Sequence, residues 1–236
     1  MDLGCGTGEL TSALHRELRA RETLGIDSSE AMLQRARSAR VSGLRFEHAD
    51  IANFESTALF DLVFSNAALQ WVPDHPALFR RVAQLVSESG ELAVQMPANH
   101  DHPSHTIAAD LAGDGAFARE TNGYVRKIPV LRPEEYAAIL HSLGFAEQTV
   151  QLRVYGHVLR SADDVVEWTR GTLLTDYAAH MSAATFARFL DEYRRRVLGE
   201  LGDERPYFYA FKRVLLWGAR RQAGGGQTVS SAPQPP

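Results

Sequence analysis

Asp2-Leu3-Gly4-Cys5-Gly6-Thr7-Gly8, followed at once by Glu9-Leu10-Thr11-Ser12-Ala13-Leu14, decides the fold of this 236-residue chain. A short apolar strand runs into glycines at alternate positions. A helical pattern with Leu10, Ala13, Leu14 and Leu18 on one face begins directly after them. Glycines let the backbone turn sharply and approach a ligand closely. The helix start behind them offers free N–H groups and the positive end of a dipole to an anionic group. A dinucleotide fingerprint, G-x-G-x-x-G, places its third glycine one position later than this G-x-G-x-G does. Taken alone, the triplet fits a tight structural turn as well as a ligand cradle.

The sequence around the triplet extends the pattern. Thr23 to Ile26 reads as a second strand ending at Asp27, and Ser28 or Ser29 caps a helix carrying Met32, Leu33 and Ala36. Leu44 to Glu47, Phe60 to Ser65 and Glu91 to Met96 read as further strands. Leu78, Val82, Leu85 and Val86 form a helical stripe between the last two. Strands alternating with helices predict an α/β fold, a parallel sheet with helices on both faces, and ligands beyond the C-terminal strand ends. Asp27 stands at such an end, where a carboxylate can accept both hydroxyls of a ribose. Asp50, beside Ile51, follows the third strand, and Asn66 ends the fourth. Only Met1, Asp2 and Leu3 precede Gly4, fewer than the about 5–6 residues of a mean strand. The expectation is therefore that the first strand is truncated here and starts upstream.

Beyond Pro97 the pattern loosens. Residues 98–132 read as a polar loop with one helix in it, Pro133 to Leu143 as a helix stopped by Gly144, and Phe145 to Leu159 as a strand. Residues 161–202 read as a two-helix insertion with Phe186, Phe189, Leu190, Tyr193 and Val197 on one face. Tyr207 to Ala219 returns to strand. This divides the chain into an α/β domain (1–160 and 204–222), a helical cap (161–203) inserted between the last strands, and a Gly/Ser/Pro-rich tail (223–236) expected to be disordered.

Composition narrows the function classes. The charge is −4, from 29 acidic and 25 basic residues, which gives no general support for a nucleic-acid partner. No apolar run approaches the ~20 residues of a membrane span. The N-terminus lacks a basic region followed by an apolar one, and Cys5 is the single cysteine, so a cytoplasmic protein is expected. Cys5 reads as a small packed side chain in the glycine loop. His100-x-His102-x-x-His105 lacks metal-ligand spacing and reads as a solvated loop, so no metal is expected.

Asp-Leu-Gly-Cys-Gly-Thr-Gly, Gly25-Ile-Asp-Ser-Ser29, Ala49-Asp-Ile51 and Phe60-Asp-Leu-Val-Phe-Ser-Asn66 together resemble the ordered motifs of the class I S-adenosylmethionine-dependent methyltransferases. The resemblance implies a Rossmann-like sheet with adenosylmethionine as cofactor. Asp2, Gly4, Gly6 and Gly8 would take its amino-acid end, Asp27 and Ser28 the ribose, and Met32, Asp50 and Ile51 the adenine. The sulfonium would lie near Asn66. Asn66 to His75, Leu92 to Asn99, Tyr155 to Leu159, Trp168 to Leu174 and Phe211 to Arg213 further resemble the trans-aconitate methyltransferase family, which esterifies one carboxylate of a small polycarboxylic acid. Two stretches depart from that family's pattern: Gln151 to Val154, where Trp-Glu-Thr stands, and Thr175-Asp176, where Arg-Pro often stands. Trp71, His157, Arg160, Arg170 and Arg213 are the candidate acceptor contacts, and Arg geometry suits carboxylates. No general base is expected, because a carboxylic acid is already ionised at neutral pH. The reading is a monomer acting on a small molecule. A different acceptor, such as a carboxylate on a carrier protein, and an inactive adenosine-ligand binder stay open at this level.

Overall fold

The structure is a computed structural model, and it describes residues 1–39 and 41–220. The expected disordered tail lies outside these residues. Seven strands form one sheet in the order β3-β2-β1-β4-β5-β7-β6. They are β1 (Asp2–Leu3), β2 (Thr23–Asp27), β3 (Leu44–His48), β4 (Phe60–Asn66), β5 (Val86–Pro97), β6 (Glu147–Leu159) and β7 (Tyr207–Ala219). The first five pair in parallel, and β7 runs antiparallel between β5 and β6. The strand order reverses between β1 and β4, and their C-terminal ends meet there. Such a switch point is where an open α/β sheet leaves a crevice.

Helices α1 (Glu9–Glu17), α2 (Glu30–Ala36), α3 (His75–Gln84) and α6 (Pro133–Ser142) flank the sheet. Ser29, not Ser28, caps α2, its hydroxyl accepting from the Met32 amide at 3.4 Å. Gly144, at φ 82°, ends the chain segment of α6 as expected. The main core joins Leu3, Ile26, Val63, Leu92 and Val94 of the strands to Leu78, Phe79 and Val82 of α3 and to Tyr136 and Leu140 of α6.

Four local expectations are corrected. The helical stripe of Leu78 and Val82 ends at Gln84, so Leu85 caps α3 and Val86 opens β5. On α1 the inward residues are Thr11, Ser12 and His15, whereas Leu10 and Leu18 are exposed. The polar face turns inward because Thr11 donates to the buried Asp2 carboxylate at 2.6 Å and His15 meets Thr23 at 2.9 Å. Residues 98–132 hold two helices, α4 (Pro103–Gly113) and α5 (Gly115–Glu120). The late insertion holds three, α7 (Asp163–Arg170), α8 (Leu173–Ala179) and α9 (Ala183–Leu201). Ala108 and Leu111 of α4 and Phe117 of α5 share a second core with Val166, Leu174, Tyr177, Phe189 and Tyr193. The cap is thus built from two separate insertions, after β5 and after β6, at the same edge of the sheet. Among the described residues, no helix is long and apolar enough to cross a membrane.

Candidate active site at the sheet switch point

The glycine loop is folded by its own backbone. Gly4, Gly6 and Gly8 have φ of 79°, 54° and 74°, in the region that favours glycine. A Cβ on Gly4 would fall 2.2 Å from the Ala68 Cβ, and one on Gly8 would fall 2.6 Å from the Phe46 ring. A Cβ on Gly6 would meet nothing within 4 Å, so this glycine faces open space. The Gly4 and Cys5 amides both donate to the Ile26 carbonyl at 2.9 Å, which docks the loop on β2.

Asp27 holds the loop from the other side. One carboxylate oxygen accepts the Gly6 amide at 2.9 Å, and the other accepts the Ser29 amide at 2.8 Å. Asp2 lies beneath, only 4% exposed. Burial pushes its carboxyl up to about 6, against the Thr11 hydrogen bond and the terminal ammonium group. Cys5 is buried as expected. Burial, reinforced by Asp2 and Asp27, pushes its thiol up to about 12, which leaves it unreactive.

The neighbouring strand ends complete one rim. Asp50 is exposed and turns the chain by accepting the Ala52 amide at 2.9 Å. Ile51 reaches to within 3.4 Å of the position a Gly4 Cβ would take. Met32 is half exposed on α2, behind Ser28 and Ser29. Asn66 ends β4 beside the Gly4–Ala68 contact.

A cavity of about 510 Å³ opens at the same sheet edge, under the cap. Its floor comes from the turn after β4 (Ala67, Gln70, Trp71) and from Pro97 and Asn99 at the end of β5. Phe211 and Arg213 of β7 line one side, and Trp168 and Leu173 of the cap the other. Asn99 is fixed there by two bonds, donating to the Tyr209 hydroxyl at 2.9 Å and accepting the Lys212 amide at 2.7 Å. Arg213 donates to Gln95 at 2.7 Å and lies 4.9 Å from the Phe211 ring centre. Arg126 lines the cavity from the segment between α5 and α6, beside His100 and His105. Its segment is latched to α8, where the Tyr124 hydroxyl meets Asp176 at 2.5 Å and the Tyr124 ring stacks on His180 at 3.6 Å. Neither Arg126 nor Arg213 has a salt-bridge partner among the described residues, and no lining residue is acidic. Burial lowers the Arg126 guanidinium from its ordinary value, and Asp176 opposes this. A guanidinium stays charged at neutral pH all the same.

The structure brings two of the five expected acceptor contacts, Trp71 and Arg213, to this cavity. His157 stands behind it, its ring 5.1 Å from that of Trp168, which itself lines the cavity. Arg160 and Arg170 are not brought to it. The Arg160 side chain is 90% exposed and clamps Asp164, while Arg170 pairs with Glu167 at 3.7 Å. Both belong to helix-start and helix-end ion pairs on the outer face of α7.

Arg126, His100 and His105 were not legible as site residues. They lie where the chain is only weakly periodic, His100 just after β5, His105 in the first turn of α4 and Arg126 between α5 and α6. The three histidines are not a solvated loop. His102 caps α4 through Nδ1, and His100 and His105 line the cavity.

The chain matches, over residues 1–128, a family model described as a methyltransferase domain. Trans-aconitate 2-methyltransferase of Deinococcus radiodurans is 45% identical over 93% of this chain and 86% of its own length. Among solved structures, the YcgJ protein of Bacillus subtilis superposes with a TM-score of 0.59 at 15% identity, over 94% of this chain and 91% of that one. Phosphoethanolamine N-methyltransferase 2 of Haemonchus contortus, solved with S-adenosyl-L-methionine, has a TM-score of 0.54 at 17% identity, over 94% and 48%. These two share the fold, and the first relative shares the sequence along nearly the whole chain. The chain belongs to the trans-aconitate 2-methyltransferase family of S-adenosylmethionine-dependent enzymes.

Proposed function

We propose that this enzyme methylates one carboxylate of trans-aconitate, giving a monomethyl ester. The observation that carries the reading is the lining of the cavity, with two guanidinium groups, two imidazoles and no carboxylate. Such a lining suits a small polyanion, and the about 510 Å³ available lies within the usual range for a small-molecule site.

The residues at the sheet edge fit adenosylmethionine. Gly6 leaves open space in front of the loop, Asp27 and Asp50 offer acceptors, and Met32 and Ile51 offer apolar surface for a base. Gly4, Gly6 and Gly8 would take the amino-acid end, Asp27 with Ser28 the ribose, and Asp50 the adenine, with Asn66 nearest the sulfonium. Asp2 supports the loop from below through Thr11 and contributes by positioning. When bound, the cofactor supplies an electrophilic methyl group on a cationic sulfur.

The chain's own residues supply alignment. Arg126 and Arg213 hold the two carboxylates that do not react, each by a charge-assisted pair worth roughly 1.5–3 kcal/mol. Trp71, Trp168 and Phe211 wall the cavity with aromatic surface and exclude water. No side chain has to remove a proton, since the acceptor arrives ionised. Orientation of this kind can account for roughly 7–11 kcal/mol of a barrier. The reading extends to a monomer acting on a free metabolite in the cytoplasm, and no helix among the described residues is long and apolar enough to cross a membrane.

Incubation with methyl-tritiated adenosylmethionine and trans-aconitate tests the reading. Label is expected in a small acidic product and is released by alkali, as from an ester. Label in protein alone, or none at all, rejects it.

A further inference from the structure

A one-directional chain of hydrogen bonds runs from the base of the cap to the acceptor cavity. His102 Nδ1 accepts the Ser104 backbone amide at 3.2 Å. A backbone N–H can only donate, so this nitrogen carries no proton. The Ser104 hydroxyl, 2.9 Å from the same nitrogen, therefore donates to it. That leaves the Ser104 oxygen to accept from His105 Nδ1 at 3.1 Å. Ser104 is fully buried, and its carbonyl accepts the Tyr193 hydroxyl at 2.9 Å, so the relay is held on both sides. His102 Nε2 then carries the proton of that ring and faces the Tyr207 hydroxyl at 3.4 Å.

The outcome is a fixed tautomer. His105 holds its proton on Nδ1 and keeps a bare lone pair on Nε2. Nε2 has no hydrogen-bond partner among the described residues and is not sealed in the interior. The ring lines the cavity proposed for the acceptor. His100, on the same wall, has a buried Nδ1 that also lacks a partner.

We propose that binding of a polycarboxylate draws one proton from solvent onto His105 Nε2, making His105 a specificity-determining residue of this site. The inference rests on the assignment of the cavity to the acceptor. A carboxylate oxygen and a bare imidazole nitrogen both present lone pairs. They repel when adjacent unless a proton lies between them. In the free protein the surroundings keep the ring neutral. Burial pushes His105 down to about 4, with His102, Arg126 and His100 acting the same way and Asp101 opposing them. Arg213 faces the same cavity from β7. A bound polyanion occupies the space between these cations and reverses the local field. The proton leaves a buffer acid, bonds to Nε2, and is shared with the carboxylate.

The sign follows from linkage. The imidazole titrates near 4 in the free protein and higher in the complex, so affinity falls as pH rises between those two values. Near pH 7 the acceptor is ionised and the free ring neutral. The dissociation constant there should rise by up to about tenfold per pH unit.

Calorimetric titration of trans-aconitate into the protein with S-adenosylhomocysteine tests this, in two buffers of different ionisation enthalpy. The expected result is uptake of close to one proton and a pH-dependent affinity. His105→Gln should remove both, because its amide donates a hydrogen bond without acquiring a proton. Far-UV circular dichroism of this variant establishes that it is folded, and wild-type proton uptake is a readout independent of any variant. Binding without proton uptake, or an unchanged pH slope in folded His105→Gln, overturns the proposal and leaves the proposed function standing. No binding of trans-aconitate overturns both.

Discussion

The Arg126 guanidinium lies 4.1 Å above the centre of the Trp71 ring. Arg126 comes from the segment between α5 and α6, and Trp71 from the turn that follows β4. The contact thus joins the cap side of the cavity to the sheet, and it orients a guanidinium that has no salt-bridge partner among the described residues. Arg126→Ala should raise the acceptor KM at least tenfold, given about 1.4 kcal/mol per decade, while cofactor affinity holds. Arg126→Lys should recover only part of the loss, since an ammonium group cannot form the two-pronged pair. Initial-rate kinetics with cofactor affinity measured separately decide it, and an unchanged KM in Arg126→Ala removes the residue from the acceptor site.

Asp27 serves two amides, with one oxygen on each. Asp27→Ala frees both and should weaken cofactor binding at least about tenfold, since charge-assisted bonds are worth roughly 1.5–3 kcal/mol each. Asp27→Asn should be nearly as damaging. Its amide oxygen can serve one N–H, but its NH2 then confronts the other donor. Calorimetric affinities for S-adenosylhomocysteine check this, and wild-type affinity in Asp27→Asn would contradict the two-amide role.

Asp2 predicts a pH dependence of stability. Its folded carboxyl titrates at about 6, above the ordinary 3.8 of an aspartate. The stabilisation it contributes is fully present below pH 3.8 and is lost as pH rises through about 6. The difference corresponds to roughly 2–3 kcal/mol. Asp2→Asn keeps an acceptor for the Thr11 hydroxyl without the buried charge. Its melting temperature should exceed that of the wild type at about pH 7.5, and the two should converge near pH 4. Parallel thermal melts without cofactor show whether the curves converge.

Turnover at saturating acceptor should stay flat from about pH 6.5 to 9, because no side-chain base must lose a proton. Any pH effect should appear in the acceptor KM. A steep rise in kcat over that range, with chemistry rate-limiting, would indicate an essential base and an acceptor other than a carboxylate.

The strands were legible because alternation and short apolar runs report burial directly. Thr23 to Asp27 and Tyr207 to Ala219 stand where the pattern puts them. The glycine loop was legible because positive φ at Gly4, Gly6 and Gly8 restricts the residue type. The apolar stripe on α1 misled because Thr11 donates to Asp2 and His15 meets Thr23 on the inward face, and these pairings have no periodic signature. The cavity proposed for the acceptor was half legible. Arg213 lies on a regular strand, whereas Arg126 lies on an aperiodic segment positioned by the Tyr124–Asp176 latch. Arg160 looked equally suited in sequence, and only the structure shows Asp164 already holding it.

The two guanidiniums, neither in a salt bridge among the described residues, stand on different parts of the molecule. Arg213 is built into the seven-stranded sheet, and Arg126 rides on the segment that the cap holds in place. Under the proposed function, an acceptor held by both acts as a rivet between them. On the same reading a monocarboxylate would engage only one of the two. Discrimination against short acids is then expected in binding, before any chemistry begins.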